Sequence, residues 1–212
     1  VLSTEMITFY LSLEISSITL YVLTGMNRFN NRSHEAGIKY LILGSFSSAF
    51  LLFGIAMVYG ATGTTGFFEI ARSFSSLEAG AMMAGLDPDR VMLVGLGLIL
   101  IGFFFKEGAF PFHVWVPDVY QGAPTPITTI LATGSKIAAF AVMIRVLMVV
   151  FAGHFQDLWI NIIIIVSILS MIFGALTGLV QNNFKRLLAY SSIGHTGFIL
   201  IGVAAMGMTT LD

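Results

Sequence analysis

Glu14, Lys39, Lys106 and Lys136 fall inside stretches whose other residues are overwhelmingly apolar. A charge at the centre of a bilayer costs roughly 2.5 to 3.5 kcal/mol on insertion scales, so charges retained there mark a path for ions or protons. Glu14 lies near the middle of its run, where a short side chain cannot reach water at either surface. Lys136 follows Thr133, Gly134 and Ser135, small residues that let another helix or water approach closely. Desolvation favours the neutral form of a buried lysine and a nearby carboxylate favours the charged form, so a lysine held between the two can take up and release a proton. Glu14, Lys106 and Lys136 therefore form a candidate proton relay. Lys39 stands at the start of its run and has two readings, a functional charge or an interfacial lysine that snorkels. Static ion pairs that only hold helices together are the competing explanation for the set.

The histidines add one candidate. His195 lies on a polar stripe with Ser191 and Ser192 at helical spacing, where its imidazole would extend the relay. His34 and His154 read as solvated loop residues, and His113, flanked by Phe112 and Trp115, as a packing residue or a proton carrier. No histidine pair has carboxylates at metal-ligand spacing, and neither a glycine-rich phosphate loop nor a dinucleotide fingerprint occurs, so we expect no metal and no cofactor in this chain. With no cysteine, thiolate chemistry and disulfides are excluded.

The elements that position these residues follow from composition. With 57% hydrophobic and only 10% charged residues and a mean hydropathy of +0.92, the 212 residues form an integral membrane protein. A net charge of -1 offers no basic surface for nucleic acid. The chain starts at Val1 and enters an apolar run without the basic flank of a signal peptide, so it reads as an excerpt or a processed chain. Crossing the hydrocarbon needs ~20 helical residues, and runs of that length occur near 6–26, 38–60, 125–151, 158–180 and 187–208. A sixth run, 91–105, is too short to cross alone and meets Pro111 and Pro117 beyond Lys106. It predicts a discontinuous helix over 91–105 and 108–120, broken at Lys106, because irregular backbone at membrane depth is tolerated only in packed or wet surroundings. The expected fold is an all-α polytopic bundle of six spans, one of them broken.

Charge in the connections orients the bundle. Arg28 and Arg32 in the first loop, and Lys185 and Arg186 in a later one, fall on one side, which the positive-inside trend makes cytoplasmic. The connection over 61–90 carries Glu69, Glu78, Asp87 and Asp89 against Arg72 and Arg90 and falls on the other side. Within it Phe67, Phe68, Ile70, Ala71 and Phe74, beside Glu69, Arg72 and Ser75, predict a short amphipathic helix at the interface, with a plain surface loop as the alternative.

Three segments then carry a resemblance: KEGAFPFHVWVPDVYQGAPTP from Lys106 to Pro126, SKIAAF from Ser135 to Phe140, and NFKRLLAYSSI from Asn183 to Ile193. They resemble the antiporter-like membrane subunits of respiratory NADH:quinone oxidoreductase (complex I), most of all the subunit N (subunit 2) branch. The related L and M branches usually have a histidine where this chain has Lys136. The resemblance implies that the chain is the middle of a longer subunit, its fifth to tenth helices. Residues 1–151 would be most of a first antiporter-like repeat, four spans with the third broken near Lys106, and 152–212 the start of a second, inverted repeat. It implies that Glu14 and Lys106 pair as a switch, that Lys136 passes protons onward, and that Lys39 belongs to the relay. The implied function is a proton-translocating subunit that couples quinone reduction to pumping. NADH, FMN, iron-sulfur clusters and quinone would then lie in partner subunits, and the neighbours would be L/M-like and small K/J/A/H-like membrane subunits. The expected location is a bacterial inner membrane, with an organellar one as the alternative. Glu107, where the family more often has a small or polar residue, would be able to hold Lys106 charged. An Mrp-type cation/proton antiporter subunit and a purely structural bundle are the other functional readings.

Overall fold

A helix that satisfies its own backbone is the form an isolated apolar segment must take in hydrocarbon. The computed structural model describes residues 2–77, 87–153 and 155–209, with side chains described throughout except at 74–77. Among these residues six helical stretches are long and apolar enough to cross a membrane: Met6–Thr24, Asn31–Thr62, Pro88–Glu107, Thr125–Val150, Gln156–Leu179 and Phe184–Thr209. In chain order the elements are α1 (Met6–Thr24), α2 (Asn31–Thr62), α3 (Phe67–Leu77), α4 (Pro88–Glu107), α5 (Trp115–Gly122), α6 (Thr125–Ala132), α7 (Gly134–Arg145), a π-helical turn (Val146–Val150), α8 (Gln156–Leu179) and α9 (Phe184–Thr209). Glu78, used in orienting the bundle, and His154 lie outside the described residues.

Small residues set the helix spacing. A Cβ on Gly54 would stand 2.8 Å from the Gly95 carbonyl oxygen, so α2 and α4 meet backbone to backbone. The Gly174 position of α8 is equally tight against α9, 2.7 Å from the Gly194 nitrogen. Two apolar clusters fill the bundle. One holds Phe9, Phe67, Phe103, Leu147 and Trp159; the other gathers Tyr21, Tyr40, Trp115 and Tyr120, with Tyr40 stacked on Trp115 at 4.7 Å. Outward positions such as Ile15, Val22, Phe46 and Ile137 are exposed apolar side chains, as a lipid-facing surface requires.

Three boundaries differ from the sequence reading. α2 begins at Asn31, seven residues before the apolar run, because Asn30 accepts a hydrogen bond from the Arg32 amide and caps a polar first turn. The broken span is interrupted after Lys106, not at it, and its first part is not too short to cross alone: α4 starts at Pro88, where Asp87 caps it, Lys106 and Glu107 complete its 20 residues, and Gly108 ends it with φ +69°. Gly108 and Ala109 donate their amides back to Phe105 and Phe104. The chain then turns through Pro111, after a cis Phe110–Pro111 bond, and the helix resumes only at Trp115, with Pro117 inside its first turn where no backbone donor is required. The fourth span is not one helix either. It breaks at Thr133, whose φ of -121° and ψ of -76° separate α6 from α7, and its last turn is π-helical. The segment near 67–75 is the short helix α3 and not a loop, but Phe67 and Ile70 are buried in the first apolar cluster and Arg145 sits 5.6 Å over the Phe67 ring. Phe68 alone of its first turn's aromatic pair faces outward.

Candidate functional site

The end of α4 carries two adjacent charges, and consecutive helix positions do not face the same way. Lys106 points to α1. Its ammonium lies 3.7 Å from Glu14 Oε2 and donates to Ser17 Oγ at 2.6 Å. Ser17 donates on to the Leu13 carbonyl, and Ser48 of α2 donates to Glu14 Oε2 at 2.5 Å. Glu14 is thus shared between a lysine and a hydroxyl on different helices, while Lys106 is only 7% exposed. Beside this pair lies a cavity of about 340 Å³ lined by Ser16, Ser17, Lys106, Gly134 and Ser135. The small residues that precede Lys136 therefore open space next to Lys106.

Lys136 sits in the first turn of α7, just past the break at Thr133, and is 6% exposed. Its ammonium donates to Thr196 Oγ1 at 2.9 Å and to the Ser192 carbonyl at 3.2 Å, both on α9. Thr196 in turn bonds the Glu107 carbonyl at 3.1 Å and the Ser192 carbonyl at 3.0 Å, tying α9 to the end of α4. Glu107 is fully buried, and its carboxylate oxygens make no hydrogen bond or ion pair among the described residues. The contact between Glu107 and Lys106 that a broken helix would have allowed is not made among the described residues: Lys106 turns to Glu14 and Ser17, and Glu107 faces another way. A cavity of about 700 Å³ runs along Lys136, Thr133, Ser192, Thr196 and His195.

His195 is exposed in this chain, 3.4 Å through Nδ1 from Ser191 Oγ, and it shares that cavity with Lys136 without touching it. His113 is a buried ring between Phe110 and Phe173, with centroids 5.5 Å and 4.5 Å away. His34 is exposed. Lys39 is not brought to the Glu14 pair. Its ammonium is taken by Glu35 at 2.6 Å and Asp118 at 2.7 Å, near the basic end of the bundle. Asp118 also pairs with Arg186 at 2.6 Å, and Lys185 donates to the Ala123 carbonyl at 2.7 Å. Asp118 thus joins α2, α5 and α9, a role the sequence reading did not assign it although it stands in the PDVY segment.

Ser17, Ser48 and Thr196 were not among the sequence candidates. Ser17 follows Glu14 by three residues and Thr196 directly follows His195, so helical spacing and adjacency were the available signals.

The sequence profile of the NADH:quinone oxidoreductase/Mrp antiporter transmembrane family matches residues 3–212. The NADH-quinone oxidoreductase subunit N of Trichlorobacter lovleyi is 47% identical over 203 residues, 96% of this chain and 40% of that protein. Among solved structures, a chain of the archaeal membrane-bound sulfane sulfur reductase matches with a TM-score of 0.81 at 32% identity, over 95% of this chain and 39% of that one. A chain of respiratory complex I from Thermus thermophilus with bound aureothin matches with a TM-score of 0.76 at 36% identity, over 97% and 41%. The chain spans about 40% of the length of the curated relatives it matches.

Proposed function

Because the chain belongs to the NADH:quinone oxidoreductase/Mrp antiporter transmembrane family, we propose that it is the proton-conducting middle of a subunit of NADH-quinone oxidoreductase. The observation that carries this reading is the Glu14–Lys106 ion pair, set at the end of a broken helix, with a second buried lysine beyond the break. A carboxylate within ~4–6 Å favours the ammonium form, and its withdrawal in a desolvated site favours release of the proton. Ser48 supplies an alternative hydrogen bond for the Glu14 carboxylate, so a small movement of α1 against α2 exchanges one partner for the other. A proton leaving Lys106 would pass to Lys136 and then along the cavity shared with His195. Lys39, held by Asp118 and Glu35, stands apart from this path, at the cytoplasmic end where protons would enter.

In this reading residues 1–151 supply most of one antiporter-like repeat and 152–212 begin its inverted partner. The chain performs no redox chemistry. NADH, FMN, iron-sulfur clusters and quinone would be bound by partner subunits, alongside L/M-like and K/J/A/H-like membrane neighbours in a bacterial inner membrane. The test is to measure proton pumping and quinone reduction together in membranes carrying the full-length parent subunit with Lys106→Ala or Lys136→Ala, after confirming assembly. The expected outcome is that both activities fall together. Unchanged pumping in assembled complex would leave the lysines as structural ion-pair residues, and sodium-dependent transport would indicate an Mrp-type antiporter subunit.

A further inference from the structure

Among the described residues Glu107 is the one buried carboxylate that the relay above does not use. It is 0% exposed, and neither of its carboxylate oxygens accepts a hydrogen bond among the described residues. A buried carboxylate without donors is costly unless an opposite charge lies close by. The neighbouring Lys106 is directed to Glu14 and Ser17 on α1. Lys136 faces the other side of the same helix end. Its ammonium bonds the Thr196 hydroxyl, which also bonds the Glu107 carbonyl, and it lies 3.9 Å from where a Cβ on Gly108 would stand. It therefore sits against the C-terminal end of α4, where the helix dipole and the carboxylate both favour a cation. The hydrogen-bond acceptors of Lys136, Thr196 Oγ1 and the Ser192 carbonyl, are neutral, which leaves Glu107 as its charged partner.

We propose that Glu107 is the counter-ion of Lys136, so that each lysine of the relay has its own carboxylate: Glu14 for Lys106 and Glu107 for Lys136, on different faces of one helix end. This rests on the proton-relay reading and adds a positioning residue to it. When an Nζ–H bond of Lys106 breaks and the proton forms a new bond to the neutral Lys136 amine, the charge arrives opposite Glu107. The receiving site is then stabilised without any movement of α4.

The experiment compares Glu107→Gln, Glu107→Asp, Lys136→Ala and the double Glu107→Gln/Lys136→Ala in the full-length subunit within the assembled complex. The readout is protons pumped per quinone reduced. We expect Glu107→Gln to lower that ratio by about tenfold or more, the smallest effect usual for losing an opposite charge at ~4–6 Å. Glu107→Asp should restore most of it, and the double variant should pump no worse than Lys136→Ala. Normal pumping in Glu107→Gln beside impaired Lys136→Ala overturns the counter-ion role and leaves the relay standing, whereas normal pumping in Lys136→Ala overturns the relay itself. If Glu107→Gln fails to assemble, assembly becomes the readout. A counter-ion predicts that the double variant assembles better than the single one, because removing both charges of a buried pair costs less than removing one; a double that assembles no better overturns the proposal.

Discussion

At the residue scale the site consists of two lysines whose ammonium groups are satisfied by hydroxyls and carbonyls as much as by carboxylates. Thr196 is the most heavily used of these, bonded to Lys136 and to carbonyls of two helices. Thr196→Val keeps the shape and removes the oxygen, leaving the Ser192 carbonyl as the ammonium's one hydrogen-bond acceptor among the described residues. A hydrogen bond to a charged group contributes roughly 1.5–3 kcal/mol, so we expect the complex to assemble with pumping reduced about tenfold or more, and Thr196→Ser to recover it. Pumping at the parent level in Thr196→Val would show that Lys136 does not depend on this hydroxyl. Glu14, Lys106 and Lys136 were legible in the sequence because a charge in an apolar run is conspicuous. Ser17, Ser48 and Thr196 were not, since serines and threonines are common in such helices and commonly bond their own backbone, as Thr19 and Thr24 do here. Which lysine Glu107 faces was also hidden, because it depends on how the last turn of α4 is rotated against α1 and α7.

At the scale of the elements, the two interrupted spans had unequal signals. Two prolines announced the break after Lys106, and only its position was shifted: Gly108, not the lysine, carries the change of direction. The break at Thr133 contains no proline, and its hydropathy is continuous with that of a single helix. The only hint was the Gly134–Ser135 pair that precedes Lys136. The π-helical turn at Val146–Val150 left no compositional trace at all, since five apolar residues are equally compatible with an α-helical end. Gly108 is where backbone and site meet. Its φ of +69° is left-handed, and a Cβ there would stand 2.6 Å from Val116 Cγ2. The left-handed conformation costs a residue with a Cβ roughly 1–2 kcal/mol, and the Val116 contact adds to it. Gly108→Ala is thus expected to lower the assembled fraction and the thermal midpoint of the complex, and to impair pumping in what assembles, because the turn that separates Lys106 from α5 must open. A Gly108→Ala complex with parental stability and pumping would mean that the turn relaxes without moving either lysine.

At the scale of the whole molecule, charge sorts the bundle into two ends. One end gathers Lys39, Lys185 and Arg186 around Asp118 and the Ala123 carbonyl, and the other carries Glu69 and the exposed Asp87–Arg90 pair. The Asp118 network is only partly shielded from water, so each of its pairs contributes roughly 0–1 kcal/mol and is weakened by salt. Asp118→Asn should therefore lower the thermal midpoint by only a few degrees, more at low than at high ionic strength; a loss that is large and independent of salt would mean that Asp118 acts through something other than these ion pairs. Placing that basic end in the cytoplasm rests on the positive-inside trend, which concerns insertion and is independent of how the helices pack. Because this stretch contains no cysteine, single cysteines can report the orientation directly in a full-length parent whose remaining cysteines have been replaced. Arg28 and Asp87 are exposed on connections at opposite ends of α2 and α4. A membrane-impermeant thiol reagent added to right-side-out vesicles should label Asp87→Cys and spare Arg28→Cys until the membrane is opened. The reverse pattern would place Asp118, Lys39 and Arg186 on the outer side, and Lys39 would then face the compartment into which protons are released.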